Sequence, residues 1–197
     1  MFAELLRSKL EGTCELPEAR IERLKSHFEL LTRWNRVLSL TSVRTLEEAV
    51  ERHYCESVFA ARHLPEGPAS VADVGSGAGF PGIPIAIVRP DCSVVLIESH
   101  QRKAAFLKEA SRDLANVRVV AKRAEDMAER FDWVVSRAVR YSDIAGALKK
   151  LGRNAELLTG EVRAEDLSGF VWQEPVRLPW GDRRYLWIGS NPICNSL

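Results

Sequence analysis

A glycine-rich segment at the end of an apolar run has the residue types for binding a cofactor. It reads Asp73-Val-Gly-Ser-Gly-Ala-Gly-Phe-Pro-Gly82, follows Val71 and Ala72, and precedes the apolar run 83–88. Glycine permits positive φ and leaves no Cβ between the backbone and a ligand. The pattern predicts a strand, a tight loop and a helix, and the loop is expected to hold a nucleotide-like molecule.

Two cofactor classes fit this loop, because residues 77–82 also match the dinucleotide pattern G-x-G-x-x-G. Backbone N–H groups at the start of the helix bind a pyrophosphate, and Pro81 and Pro84 remove two of these donors. S-Adenosylmethionine carries no phosphate, and the carboxylate of Asp73 suits its cationic methionine moiety. The loop therefore favours S-adenosylmethionine over NAD.

A second acidic residue lies where an adenosine ligand requires one. The β-rich run 93–97 ends in Glu98, 19 residues after Gly79. A carboxylate at this position can accept hydrogen bonds from both ribose hydroxyls. NAD enzymes share this acid, so Glu98 indicates an adenosine without choosing between the two cofactors.

The elements that must position these residues fall into two parts. Apolar residues at helical spacing over 21–38, a capping box at Thr45 and Glu48, and an apolar face up to Leu64 predict an N-terminal helical region, residues 1–68, packed on the core. From 69 to 197, short β-rich runs alternate with helical ones, which is typical of a parallel sheet. The runs 171–178 and 185–188 have no helix between them and predict an antiparallel hairpin. The expected fold is α/β: a class I, Rossmann-like methyltransferase sheet, mostly parallel, with a C-terminal hairpin.

Composition limits the function classes. The chain has 197 residues, 46% of them hydrophobic, and a formal net charge of +1, so any nucleic-acid contact must come from local basic surface. No stretch approaches 18 uncharged apolar residues, and we expect a cytoplasmic protein without a membrane partner. The cysteines form no C-x-x-C pair, which predicts reduced thiols and no metal; they are Cys14, Cys55, Cys92 and Cys194.

Several further segments, together with the glycine segment, carry a family resemblance. They are Leu40-Thr-Ser-Val43, His53-Tyr-Cys-Glu-Ser57, Ile97-Glu-Ser99 with Lys103 and Phe106-Leu107, Arg123-Ala-Glu125 and Ser136-Arg-Ala138. With these segments the chain resembles, over nearly its whole length, the bacterial family of small-subunit ribosomal RNA guanine-N7 methyltransferases, historically called glucose-inhibited division protein B.

The resemblance implies methyl transfer from S-adenosylmethionine to N7 of one guanine in a hairpin loop of 16S rRNA. The implied partner is 16S rRNA or the assembling 30S subunit, and we expect a monomer. Guanine N7 has no proton to lose, so positioning is expected to matter more than proton abstraction. The implied cofactor residues are Asp73, Gly75, Gly77, Gly79, Phe80, Glu98, Ser99, Ala124, Glu125 and Arg137, and the implied catalytic, substrate-side residues are Arg137, Arg123 and His53.

Each substrate-side residue also has a purely structural interpretation. Arg137 could pair with a core carboxylate, Arg123 could form a surface salt bridge, and His53 could pack on a helix face. Basic side chains that could contact phosphates are Arg102, Lys103, Arg137, Arg140, Lys149, Lys150 and Arg153. Aromatic side chains that could stack on bases are Trp34, Tyr141, Trp172 and Trp180, with Trp34 better explained as a core residue.

The chain departs from the family at two positions. Ser39 stands where asparagine is usual before Leu-Thr, and Thr159 stands where a lysine is usual. A nearby arginine could replace that lysine, or the activity or target could differ. Two alternatives to an rRNA methyltransferase therefore stay open: a methyltransferase of a small molecule or protein, and a non-catalytic cofactor-binding regulatory protein.

Overall fold

The fold is known from a computed structural model, which describes residues 1–162 and 167–193. The helices are α1 (Phe2–Leu10), α2 (Glu18–Trp34), α3 (Leu46–Ala49), α4 (Glu56–His63), α5 (Gly82–Val88), α6 (Gln101–Ala110) and α7 (Tyr141–Leu151). The strands are β1 (Ser70–Val74), β2 (Ser93–Ile97), β3 (Val117–Val120), β4 (Phe131–Arg137), β5 (Gly152–Thr159), β6 (Val171–Trp172), β7 (Val176–Arg177) and β8 (Tyr185–Ser190). A π-helical segment, Val50–Cys55, joins α3 to α4, and a 3-10 turn, Ala124–Asp126, follows β3.

All of these strands belong to one sheet in the order β3-β2-β1-β4-β5-β8-β6, with β7 also paired to β8. Strands β1 to β5 pair with one another in parallel, whereas β8 is antiparallel to β5, β6 and β7. The expected α/β fold is confirmed, including the antiparallel C-terminal strands. Residues 155–159 are part of β5, an interior strand of the sheet.

The register of the parallel strands places three sequence signals at one edge of the sheet. Asp73 in β1 is aligned with Leu96 in β2 and with Val135 in β4. Parallel strands in register end at the same level, and ligands of open α/β sheets bind at this carboxyl edge. The glycine loop after β1, Glu98 after β2 and Arg137 at the end of β4 therefore lie side by side.

The N-terminal helices pack on one face of the sheet and extend over this edge. Apolar residues of α1, α2 and α4 share one buried cluster with β1 and α5. Thr45 caps α3, because the backbone N–H of Glu48 donates to its Oγ1 (3.1 Å), as the capping box predicts. The π-helical segment adds a wide turn, a feature frequent at functional sites, and it contains His53. The boundary proposed at residue 68 falls in the connection between α4 and β1.

Within residues 1–162 and 167–193, no helix is long and apolar enough to cross a membrane. The same residues contain no group of three or more His, Cys, Asp or Glu side chains that could hold a metal ion. Cys14, Cys55 and Cys92 are free thiols, and Cys194 lies outside the described residues.

Candidate functional site

An open cleft of about 510 Å³ lies at the carboxyl edge of β1, β2 and β4. Its floor is formed by residues 75–78 and Phe80 of the glycine loop, residues 75–80. One wall is formed by Glu98 and Lys103, a second by residues 40–43 with His53, and a third by residues 137–139 with Arg184. We call this space the first cleft.

The glycine loop depends on its glycines, both for its backbone conformation and for the space that it leaves in the first cleft. Gly75, Gly77 and Gly79 have φ of 74°, 54° and 89°, a region that other residues rarely adopt. A Cβ on Gly77 would meet only the carbonyl oxygen of Gly75, at 3.8 Å, so the space above Gly77 is free for a ligand. A Cβ on Gly75 would lie 2.8 Å from the Val139 side chain, so the loop also packs tightly against the segment that follows β4.

Glu98 borders the first cleft and holds the glycine loop in place. The backbone N–H of Gly77 donates to its Oε2 (2.9 Å), and the backbone N–H of His100 donates to its Oε1 (2.8 Å). The residue is only 8% exposed. Because each carboxylate oxygen has a second lone pair, both oxygens can still accept a ligand hydroxyl.

Asp73 supports the loop from below and does not line the cleft. It is fully buried, and its Oδ2 accepts a hydrogen bond from the backbone N–H of Gly82 (3.0 Å), at the start of α5. Burial raises the pKa of this carboxyl group to about 7. Its Oδ1 has no hydrogen-bond partner among the described residues. The role of Asp73 toward the methionine moiety of the cofactor stays a prediction.

Arg137 reaches the first cleft as part of a buried cluster with Glu56 and Arg184. Arg184 donates twice to Glu56, from Nε to Oε1 (2.9 Å) and from Nη2 to Oε2 (2.8 Å), and Arg137 Nε lies 3.3 Å from Oε2. The carboxylate is completely buried, whereas the side chains of Arg137 and Arg184 are 11% and 23% exposed. Two guanidinium groups share one carboxylate, so the cluster leaves one positive charge at the cleft wall. The interpretation of Arg137 as the partner of a core carboxylate is confirmed.

His53 contributes packing rather than charge. Its ring stacks on Phe80 with 4.6 Å between centroids, and a hydrogen bond joins its Nε2 to Thr41 Oγ1 (2.7 Å). Burial, together with the nearby Arg137, lowers the pKa of His53 to about 3. The imidazole is therefore neutral near pH 7, and it fixes residues 40–43 against the glycine loop.

A second cleft of about 800 Å³ adjoins the first at the ends of β4 and β5. The two clefts share Ala138, Val139 and Arg184 as a common wall. Arg140 and Tyr141 line the second cleft at the start of α7, and Thr159 lines it at the end of β5. Ala138 has φ of 60°, a conformation that costs about 1–3 kcal/mol for a residue with a Cβ and often occurs at functional sites.

Several residues expected at the site do not line either cleft. Ser99, Arg123 and Glu125 are exposed and Ala124 is buried, and none of them borders the first cleft. Three tryptophans pack internally, and the indole N–H of each donates a hydrogen bond within the protein. The acceptors are the side chain of Glu109 for Trp34, the carbonyl of Leu167 for Trp172 and the carbonyl of Lys9 for Trp180. Lys150 donates to the carbonyl of Glu125 (2.6 Å).

Sequence reasoning missed Glu56, Arg184 and Thr41. Glu56 and Arg184 are 128 positions apart, so no local pattern joins them. The only available signal was that Glu56 and Thr41 fall inside segments that carry the family resemblance. Arg184 lies outside every such segment.

Comparison with known proteins gives consistent results. The family model described as rRNA small subunit methyltransferase G matches residues 20–161. Proteins named ribosomal RNA small subunit methyltransferase G are similar to this chain. The one from Methylobacillus flagellatus is 42% identical over 77% of this chain and 70% of its own length. The one from Aromatoleum aromaticum is 40% identical over 92% of this chain and 87% of its own length.

Solved structures show the same fold at low sequence identity. A magnesium protoporphyrin IX methyltransferase from Synechocystis superposes with a TM-score of 0.61 at 14% identity, covering 89% of this chain and all of the other. A SAM-dependent methyltransferase from Aquifex aeolicus gives 0.55 at 18% identity, covering 72% and 92% of the two chains. The sheet is therefore of the class I methyltransferase type.

Proposed function

We propose, because the chain belongs to the rRNA small subunit methyltransferase G family, that it transfers a methyl group from S-adenosylmethionine to N7 of a guanine in 16S rRNA. The observation that carries this proposal is the first cleft, where the glycine loop, Glu98 and the guanidinium of Arg137 meet. The expected substrate is free 16S rRNA or the assembling 30S subunit, and the expected enzyme is a cytoplasmic monomer.

The first cleft fits S-adenosylmethionine. The free space above Gly77 can take the methionine half, and the second lone pairs of Glu98 can take the ribose hydroxyls. The adenine edge would face the end of β3, near Ala124 and Glu125, because β3 is the neighbour of β2. When bound, the cofactor supplies a methyl group on a positively charged sulfur. Asp73 acts indirectly, by holding the start of α5 through Gly82.

The second cleft is our proposed site for the target guanine. It opens beside the first, across the wall formed by Ala138, Val139 and Arg184. The positive charge left on the Glu56 cluster faces this wall and suits a phosphate or the electronegative O6 and N7 edge of guanine. The reaction needs no general base, since N7 attacks with a lone pair and loses no proton. The residues here therefore orient the base and exclude water.

Methyl transfer from radiolabelled S-adenosylmethionine tests the proposal. The substrates are unmethylated 30S subunits, a 16S rRNA transcript and the proteins extracted from 30S subunits. We expect label in the RNA, mapped to a guanine by mass spectrometry of nuclease fragments, and none in protein. Arg137→Ala should lower transfer more than it lowers cofactor affinity. Label in protein only would favour a protein methyltransferase. Cofactor binding without transfer to any substrate would favour a non-catalytic regulatory protein.

A further inference from the structure

An exposed valine stands close to the entrance of the first cleft. Val37 is 80% exposed, the most exposed large hydrophobic side chain of the described residues apart from Met1. It lies three residues before Leu40, the first residue of the cleft wall. Three residues of chain span at most about 11 Å. The side chain is therefore near any RNA that occupies the clefts.

The segment around Val37 is positively charged. No acidic residue occurs between Glu29 and Glu47, whereas three arginines do. Two of them, Arg36 and Arg44, flank the cleft-lining residues and are exposed. Neither guanidinium forms a hydrogen bond or ion pair with the described part of the chain. Both are free to contact phosphates.

The segment is also held rigidly. The backbone N–H groups of Val37 and Leu38 both donate to the carbonyl of Trp34, at 3.0 and 2.9 Å. The side chain of Asn35 accepts from the N–H groups of Leu40 and Thr41 and donates to the carbonyl of Thr41. A rigid loop loses little conformational entropy on binding. An apolar side chain presented in this way, between free arginines, is suited to a partner that is both anionic and apolar.

We propose that residues 36–44, here called the arginine loop, bind the RNA beside the target guanine. Arg36 and Arg44 contact phosphates, and Val37 packs against a base next to the one that enters the second cleft. A nucleic acid fits this surface better than an acidic protein, because only the former offers flat apolar faces between regularly spaced charges. The proposal rests on the proposed function and names the surface that recognises its substrate.

Binding and transfer are measured separately for Val37→Ser and for Arg36→Gln and Arg44→Gln. The probe is an unmethylated 16S rRNA transcript, used in filter binding over a salt series and in single-turnover transfer. Val171→Ser, which changes another exposed valine (62% exposed) on β6, and Arg112→Gln, which changes an exposed arginine beyond the far end of α6, are the matched controls.

We expect Val37→Ser to weaken RNA binding roughly tenfold with little change in salt dependence, the scale of a lost apolar contact. Each arginine variant should reduce the slope of log K against log salt by about 0.7–0.9, the value for one phosphate contact. Cofactor affinity measured by calorimetry should stay within about twofold of the wild type, and the controls should behave like the wild type.

The outcomes separate this proposal from the proposed function. If the wild type methylates the RNA and the loop variants bind it as tightly as the wild type does, the proposed role of the arginine loop is wrong and the proposed function stands. Wild-type binding that the loop variants weaken, without any methyl transfer, supports the loop and overturns the function. Absence of RNA binding by the wild type overturns both.

Discussion

Replacing Glu56 by glutamine tests the cluster on which the cleft wall depends. The amide keeps one acceptor oxygen and places an NH₂ group where the second oxygen accepted from a guanidinium. Arg137 and Arg184 would then share no negative charge, although 89% and 77% of their side-chain surfaces are buried. The variant therefore leaves two positive charges in a poorly hydrated place.

The size of the effect follows from the burial of the three side chains. Removing one partner of a buried ion pair costs about 3–5 kcal/mol. Arg184 retains some exposure and can turn partly toward water, so we expect the lower end, about 3 kcal/mol. For a chain of this length, 1 kcal/mol shifts Tm by about 2–4 °C, so Tm should fall by about 6–12 °C.

Urea and thermal unfolding followed by circular dichroism provide the measurement. Glu161→Gln is the control, because Glu161 pairs with Arg183 at 3.5 Å while both side chains are more than two-thirds exposed. Such surface pairs contribute about 0–1 kcal/mol. A Glu56→Gln variant that melts within about 1 °C of the Glu161→Gln variant would refute the assignment of a buried, stabilising cluster.

Three further variants test the cofactor loop and the core. Glu98→Ala should weaken S-adenosylmethionine binding by about 1–3 kcal/mol in calorimetry, since the N–H groups of Gly77 and His100 lose their acceptor; unchanged affinity would contradict the ribose assignment. Gly77→Val should fold and fail to bind the cofactor, because valine disfavours φ of 54° and fills the cleft; normal binding would place the cradle elsewhere. Glu156 is fully buried and its carboxyl oxygens have no hydrogen-bond partner, and burial raises its pKa well above the ordinary value. The folded state therefore binds this proton more tightly than the unfolded state does. The resulting stabilisation is complete below the unfolded-state pKa of 4.5 and is lost as pH rises through the folded-state pKa. Glu156→Met should be more stable than the wild type at pH 8 in urea unfolding, with a smaller difference at pH 5.

The parts of the site that the sequence predicted are those with a local physical cause. Positive φ at Gly75, Gly77 and Gly79 is favoured by the residue type, and the strand before them is apolar except at Ser70 and Asp73. Glu98 could be placed because parallel strands end at a common edge, so its position follows from counting along β2. Neither inference needed knowledge of distant contacts.

The parts that escaped prediction depend on packing between distant segments. Asp73 stands at the end of a strand, and sequence alone could not distinguish a carboxylate aimed at a ligand from one aimed at the N–H of Gly82. The π-helical turn around His53 has no sequence signature of its own. It lies between α3 and α4, and the ring of His53 within it stacks on Phe80, a contact between segments far apart in the sequence.

Thr159, which stands where the family resemblance leads us to expect a lysine, lies close to an arginine. Strand β8 runs antiparallel to β5, and Tyr185 is aligned with Thr159. Arg184, the residue before Tyr185, lines the second cleft together with Thr159. We propose that Arg184 replaces the lysine that the family resemblance leads us to expect at position 159, from the residue before β8 instead of from β5. Because Glu56 on α4 fixes this arginine in two hydrogen bonds, the charge at the clefts depends jointly on α4, on β4 and on the residue that precedes β8.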